Sequence, residues 1–299
     1  MDPSPHLPSK NPAPTPKSIP NPRRLLILTP TSHSLPTVPP LLHSLTGVAV
    51  HQIPTSPETQ TETFAGYTTH SPLHIENRYY TADVPVWVDE IPVPSAQPES
   101  KTATGPEPET GTETGTPTQW KDEFSSAEAR VVRDALGGVV VCIRNFESLG
   151  MSSDGGGDGD PGEREDVKAL KGFLGCIGEV KRLVQAEREG QDGDSGDGDD
   201  NGGLDVGLGD VLGVIVLVEN GNQKEKPGKP VGDDLDPDSV SAIETDKPFS
   251  VSWWEDQLDD IGLMDFEVVS WDPRSEEDDS RDKYGGWLTP SGSLFCWIV

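Results

Sequence analysis

Arg23 to Leu45 reads RRLLILTPTSHSLPTVPPLLHSL. Two arginines precede LLILT, which is short, apolar and stopped by Pro30, the pattern of a buried strand. A Pro/Ser/Thr stretch follows. Leu41 to Leu45 then forms part of a short helix after Pro39-Pro40, where prolines suit a first turn. Strand, loop and helix in that order are where a nucleotide-binding α/β protein holds phosphate. Such a loop needs GxxxxGK[ST]: glycines that let backbone N–H groups converge, a lysine for the terminal phosphates and a hydroxyl for magnesium. After Leu28 this chain offers Thr29, Pro30, Thr31, Ser32, His33, Ser34, Leu35 and Pro36. There is no glycine and no lysine among them, and the two prolines carry no N–H. The usual cradle cannot form.

Downstream, AGYTTHSPLHIENRYYTADVPVWVDEIPVP predicts a hairpin with strands near Tyr67 to Ile75 and Arg78 to Val88. Glu76-Asn77 sits at the turn, and Asn tolerates left-handed backbone there. Tyr80, Ala82, Val84, Val86 and Val88 share one face at period two; Tyr79, Thr81, Asp83, Pro85 and Trp87 share the other. Pro72 and Pro85 remove ladder donors and predict edge positions or bulges. A helix follows from about Trp120 to Leu136, with Trp120, Phe124, Ala127, Val131 and Ala135 on one face and Gly137-Gly138 as its stop. VVVCI, Val139 to Ile143, is the next buried strand. A helix from about Asp166 to Glu187 turns Val167, Leu170, Leu174, Ile177, Val180 and Val184 inward. VLGVIVLV is the third buried strand. Ser252-Trp253-Trp254-Glu255 matches a capping box for a helix ending near Gly262, and DFEVVSW is the fourth apolar strand. Trp253 and Trp254 are adjacent, so one is expected to pack and the other to cover the edge of the core.

Helices alternating with short apolar strands predict a three-layer α/β fold. Its sheet is expected to be mostly parallel and six-stranded, with right-handed crossovers and one antiparallel edge hairpin. That outline is the one small GTPases share. Their remaining motifs are absent too. Where DxxG is expected the chain has Asp89-Glu90-Ile91-Pro92, and where NKxD is expected it has Glu219-Asn220-Gly221-Asn222-Gln223-Lys224. Neither supplies the contacts for a base or a magnesium ion.

Only 32% of the 299 residues are hydrophobic, while Gly (32) and Pro (29) are abundant. Low-complexity insertions are expected at about 95–118, 150–165, 188–206, 220–249 and 272–283, and a disordered tail over 1–22. The rest, 23–299, reads as one domain; roughly 170 residues outside the biased stretches suffice for a buried core. A net charge of −29 argues against nucleic acid and anionic membrane surfaces as partners. Three cysteines without a CxxC pair fit a reducing, cytosolic compartment and no zinc site. No apolar run is long enough to span a bilayer, and no secretory signal opens the chain.

Catalytic and metal readings are weak. Ser32-His33-Ser34 sets a base beside hydroxyls, but adjacent residues rarely make a productive pair and no acid is placed by spacing. The six histidines show no helical i, i+4 pair. Asp197 to Leu208 resembles the front of an EF-hand loop but has Leu208 where a bidentate Glu is required. Asp122-Glu123-Phe124 and Asp265-Phe266 resemble short sorting motifs yet fall on elements expected to be packed. No catalytic, cofactor or metal residues are assigned.

IENRYYTADV, Ile75 to Val84, resembles the I-[DE]-N-[KR]-Y-Y-T-A-D-V segment of the alpha- and gamma-adaptin-binding protein family, whose fungal members are the increased recombination centers proteins. DFEVVSWDP resembles that family's strand before its acidic segment. The resemblance extends over roughly 23–271. It implies a Rab-like fold without GTPase motifs and a cytosolic, non-enzymatic factor that binds adaptin and sigma subunits of clathrin adaptor complexes and helps them assemble in vesicle traffic. The family ends in a charged helix, whereas Tyr284 to Val299 contains Gly285-Gly286, Pro290 and Gly292, which oppose one. The hairpin is the candidate partner surface, with Tyr79, Tyr80, Asp83 and Trp87 as its residues; Tyr80 shares a face with the valines and has sheet packing as its competing role. A divergent small GTPase and an acidic calcium-responsive linker are the alternatives compatible with the sequence.

Overall fold

The computed structural model describes residues 16–50, 62–67, 69–94, 116–146, 160–192, 210–219 and 248–273. The elements in chain order are β1 (Lys17–Ser18), β2 (Arg24–Pro30), α1 (Thr31–Thr46), β3 (Leu73–Glu76), β4 (Tyr80–Val84), β5 (Val86–Ile91), α2 (Pro117–Ser125) and α3 (Arg130–Ala135). They continue as β6 (Leu136–Arg144), α4 (Glu165–Asp192), β7 (Leu212–Val218), α5 (Val251–Asp260) and β8 (Glu267–Trp271). Five strands form one all-parallel sheet in the order β5-β2-β6-β7-β8. β1, β4 and β3 form a second, three-stranded sheet.

The main sheet is covered on both faces, so its strands read as unbroken apolar runs rather than alternations. Alternate residues still divide cleanly. Leu26, Leu28, Val139, Val141, Ile143, Ile215 and Leu217 face the layer built by α2, α4 and α5. Leu25, Ile27, Val86, Val88, Val140, Cys142, Val214 and Val216 face α1, Phe64 and Leu73. All six inward positions expected on α4 are buried, and so is Phe173 between them. Trp254 is buried and Trp253 half-buried, the division expected of adjacent tryptophans.

Several expectations are corrected. Among the described residues the main sheet has five strands, not six, because the second hairpin strand breaks at Pro85. Its first half, β4, pairs antiparallel with β3 in the small sheet; its second half, β5, pairs parallel with β2. The hairpin is therefore not the antiparallel edge of the main sheet. Among the described residues, only an isolated antiparallel bridge, Gly66 to Val88, lies on the outer side of β5. Lys17–Ser18, inside the expected tail, pair with Tyr80 and Thr81. α2 begins at Pro117 and α4 reaches Asp192, both inside stretches read as insertions.

The helix expected over 120–136 is broken between α2 and α3, and the break turns Val131 outward, where it is 78% exposed. Gly137-Gly138 lie within β6 rather than ending a helix. The pairing of β2 and β6 shifts between Arg24 and Leu25, placing Gly137 in a bulge, and a Cβ on Gly138 would sit 3.2 Å from the Leu212 Cβ. Ser250, not Ser252, caps α5, accepting from the Trp253 N–H at 3.2 Å. The EF-hand-like tract and Tyr284 to Val299 lie outside the described residues.

Candidate partner-binding site

Ile75 to Val84 forms the turn side of the β3–β4 hairpin. Asn77 shapes the turn, but not by left-handed backbone: its Oδ1 accepts from the Tyr79 N–H at 2.8 Å and the Tyr80 N–H at 2.9 Å. Tyr79 projects from the turn at 63% exposure, with the Arg78 guanidinium 4.4 Å from its ring centroid. Tyr80 is half-buried on the face shared with buried Ala82, and Asp83 is exposed on the other. His74 stands across the strands from Asp83 and is hydrogen-bonded to it at 2.7 Å, with the Glu76 carboxylate 3.7 Å away. The bond to Asp83 raises the pKa of His74. Ser18, Ile19, Asn21 and Pro22 close a cavity of about 210 Å³ against His74, Thr81 and Asp83.

Trp87 is not part of this group. It lies on β5, half-buried, with the Tyr67 ring centroid 5.0 Å away and the Arg24 guanidinium 6.0 Å from its ring. Beside it, Asp89 accepts from the Tyr67 hydroxyl at 2.9 Å and the Trp120 indole N–H at 3.2 Å. Burial raises the pKa of Asp89 despite these two donors, and burial together with Asp89 raises that of the Tyr67 phenol. The four candidate residues thus divide: Tyr79, Tyr80 and Asp83 share the hairpin, and Trp87 belongs to an edge cluster with Tyr67, Asp89 and Trp120. The period-two spacing of Trp87 and Asp89 was a signal for that cluster, but their partners come from 20 and 31 or more residues away in the chain.

At the carboxyl ends of the strands, where open α/β sheets bind ligands, the expected loop does not exist. β2 ends at Pro30 and α1 begins at Thr31. Ser34, Thr37, Val38, Leu41, Leu42 and Leu45 are buried along one face of that helix, although Pro36, Pro39 and Pro40 lie inside it. The carbonyl of His33, whose helical partner is the Thr37 amide, also accepts from the Thr37 hydroxyl at 2.7 Å. The crevice lined by Pro30, Ser32, His33, Val93, Pro94, Phe146, Asp166 and Leu170 holds about 90 Å³, room for a few waters. Asp166 is engaged by Arg164 at 2.5 Å.

The Ser-His-Ser run is separated by its helical geometry. The His33 Nδ1 accepts from the Arg144 N–H at 3.2 Å, while the Ser34 hydroxyl donates to Glu90. Burial, and secondarily the Arg144 charge, lowers the His33 pKa to about 4. Asp89-Glu90 lies inside β5, not after it, and Glu219 accepts from Asn145 at 3.0 Å and Ser270 at 2.7 Å. The two sorting-like peptides are packed: Phe124 and Phe266 are buried, and Asp265 pairs with the buried Lys181. Cys142 is buried, which pushes its thiol up to about 12. Among the described residues no group of three or more His, Cys, Asp or Glu is placed to hold a metal, and no helix is long and apolar enough to cross a membrane.

No protein-family model and no curated protein matches the chain. Among solved structures it is similar to yeast Irc6p, described as a novel type of conserved clathrin accessory protein. That likeness covers 90% of this chain and 87% of the other at 12% identity and a TM-score of 0.34.

Proposed function

We propose that the protein is a non-catalytic adaptor-binding protein, a cytosolic pseudo-GTPase of Rab-like plan. In this reading it binds adaptin and sigma subunits of clathrin adaptor complexes and chaperones their assembly for vesicle traffic. The observation that carries the reading is the position of IENRYYTADV. The residues that resemble the adaptin-binding family form a hairpin outside the main sheet, with Tyr79 and Asp83 turned to solvent. An exposed aromatic beside charged groups is the composition of a recognition surface rather than of a core. In support of the Rab-like plan, the antiparallel bridge between Gly66 and Val88 lies where an edge strand would pair with β5. That this reading excludes nucleotide hydrolysis is supported by the junction at Pro30-Thr31. A strand that runs straight into a helix leaves no loop to wrap a triphosphate, and the crevice beside it is too small for one.

The test is direct binding of purified adaptin and sigma subunits to the full chain. Tyr79→Ala with Asp83→Ala is expected to weaken binding about tenfold or more without lowering the melting temperature. Unchanged affinity removes the hairpin as the surface. Saturable binding of labelled GTP with magnesium would favour a divergent GTPase instead.

A further inference from the structure

Glu90 stands near the end of β5, and both its carboxylate oxygens are taken by groups from distant parts of the chain. Oε1 accepts from the Ser34 hydroxyl on α1 and from the Phe64 backbone N–H, the latter at 2.7 Å. Oε2 accepts from the Thr63 hydroxyl at 2.9 Å. The Thr63 oxygen accepts in turn from the Ala65 N–H at 3.1 Å. Ser34 is 2% exposed, and Phe64 is fully buried in the core cluster beneath α1. Two residues beyond Phe64, Gly66 exchanges both backbone hydrogen bonds with Val88, at 2.8 and 3.0 Å. Tyr67 then reaches Asp89 and Trp87. Residues 62–67 are therefore fastened to β5 by a carboxylate, a bridge and an aromatic contact in succession.

Nucleotide switches divide this task differently. A hydroxyl from the helix after the first strand and a strand-end carboxylate hold magnesium, and the ion with the terminal phosphate orders the switch segment, which is released on hydrolysis. In this protein a helix hydroxyl, a strand carboxylate and a segment hydroxyl also converge, but they touch one another directly. Hydrogen-bond distances leave no space for an ion between them.

We propose that Glu90 is a built-in latch, whose direct hydrogen bonds to Ser34, Thr63 and Phe64 hold residues 62–67 on the β5 edge permanently, without nucleotide or metal. The latch is independent of which partner the protein binds. It makes the edge cluster around Trp87 a fixed surface rather than a switched one.

Amide hydrogen exchange on the full chain tests this at the Phe64 and Gly66 N–H groups, both donors in the fastening. Thr63→Val and Glu90→Ala are each expected to speed exchange at these two amides about tenfold or more, leaving the amides of β6 and β7 unchanged. In the unmutated chain, EDTA or magnesium with GTP is expected to change nothing. Unaltered protection in Thr63→Val overturns the latch, as does protection in the unmutated chain that rises with magnesium and GTP. Should Glu90→Ala fail to fold, Thr63→Val decides alone, because Thr63 is only half-buried.

Discussion

His33 sits half-buried on α1 with one ring nitrogen committed to the Arg144 N–H, and its pKa falls to about 4. Between the ordinary value of 6.5 and about 4 the unfolded chain binds a proton that the folded chain refuses. Stability therefore falls as the pH is lowered through that window, by up to about 1.4 kcal/mol per unit, and does not change on this account above it. Denaturant melts of the protein and of His33→Gln between pH 7 and 4.5 are expected to diverge, the variant losing less. Parallel curves would show that His33 protonates in place. Neither its burial nor its partner was legible in Ser32-His33-Ser34, because the Arg144 amide is 111 residues away and meets it only where β6 ends beside α1.

Between elements, Arg133 on α3 contacts both α2 and α4. Its guanidinium makes a two-pronged pair with Glu187 on α4, at 2.9 and 2.7 Å, and donates to the carbonyls of Phe124 and Ser126 at the end of α2. One side chain thus satisfies the open helix end and ties three helices together. Arg133→Ala is expected to cost roughly 2–3 kcal/mol in denaturant unfolding, because it strands a carboxylate and two carbonyls. The pairing lowers the Glu187 pKa. Its contribution is thus complete above 4.5, the ordinary value, and fades as the pH drops below it, a window more acid than that of His33. A mutational cost that stayed constant from pH 6 to 3 would contradict this.

The break between α2 and α3 that places Arg133 could not be read from the regular spacing of Trp120 to Ala135, which promised a single helix. Conversely, only the Leu41 to Leu45 end of α1 was legible as helix, because the prolines before it mask a start at Thr31. Ser34, Thr37, Val38, Leu41, Leu42 and Leu45 follow helical spacing, but two of the six are polar and three prolines interrupt them. Pro36 is exposed and Pro39 and Pro40 are half-buried, so the helix keeps its buried face whole and accepts the lost N–H donors elsewhere.

Over the whole molecule, a charge of −29 opposes compaction. Salt screens that repulsion. The melting temperature is expected to rise between about 20 and 200 mM sodium chloride, with Debye lengths near 20 and 7 Å. A fall would mean that ion pairs such as Arg133 with Glu187 outweigh the net repulsion. The runs LLILT, VVVCI and VLGVIVLV and the inward stripe of α4 determined an α/β protein with a parallel sheet buried on both faces. That much is local: apolar period and run length are written in neighbouring residues. Where the hairpin would go was not local. Pro85 divides one predicted strand between two sheets, and no spacing rule says which half stays with β2. The same holds for Glu90, whose sequence neighbours give no sign of Ser34 or Thr63. Only tertiary structure decided these, because a hydrogen bond or a strand pairing depends on what the folded chain brings within 3 Å, and that is set by the packing of the whole core.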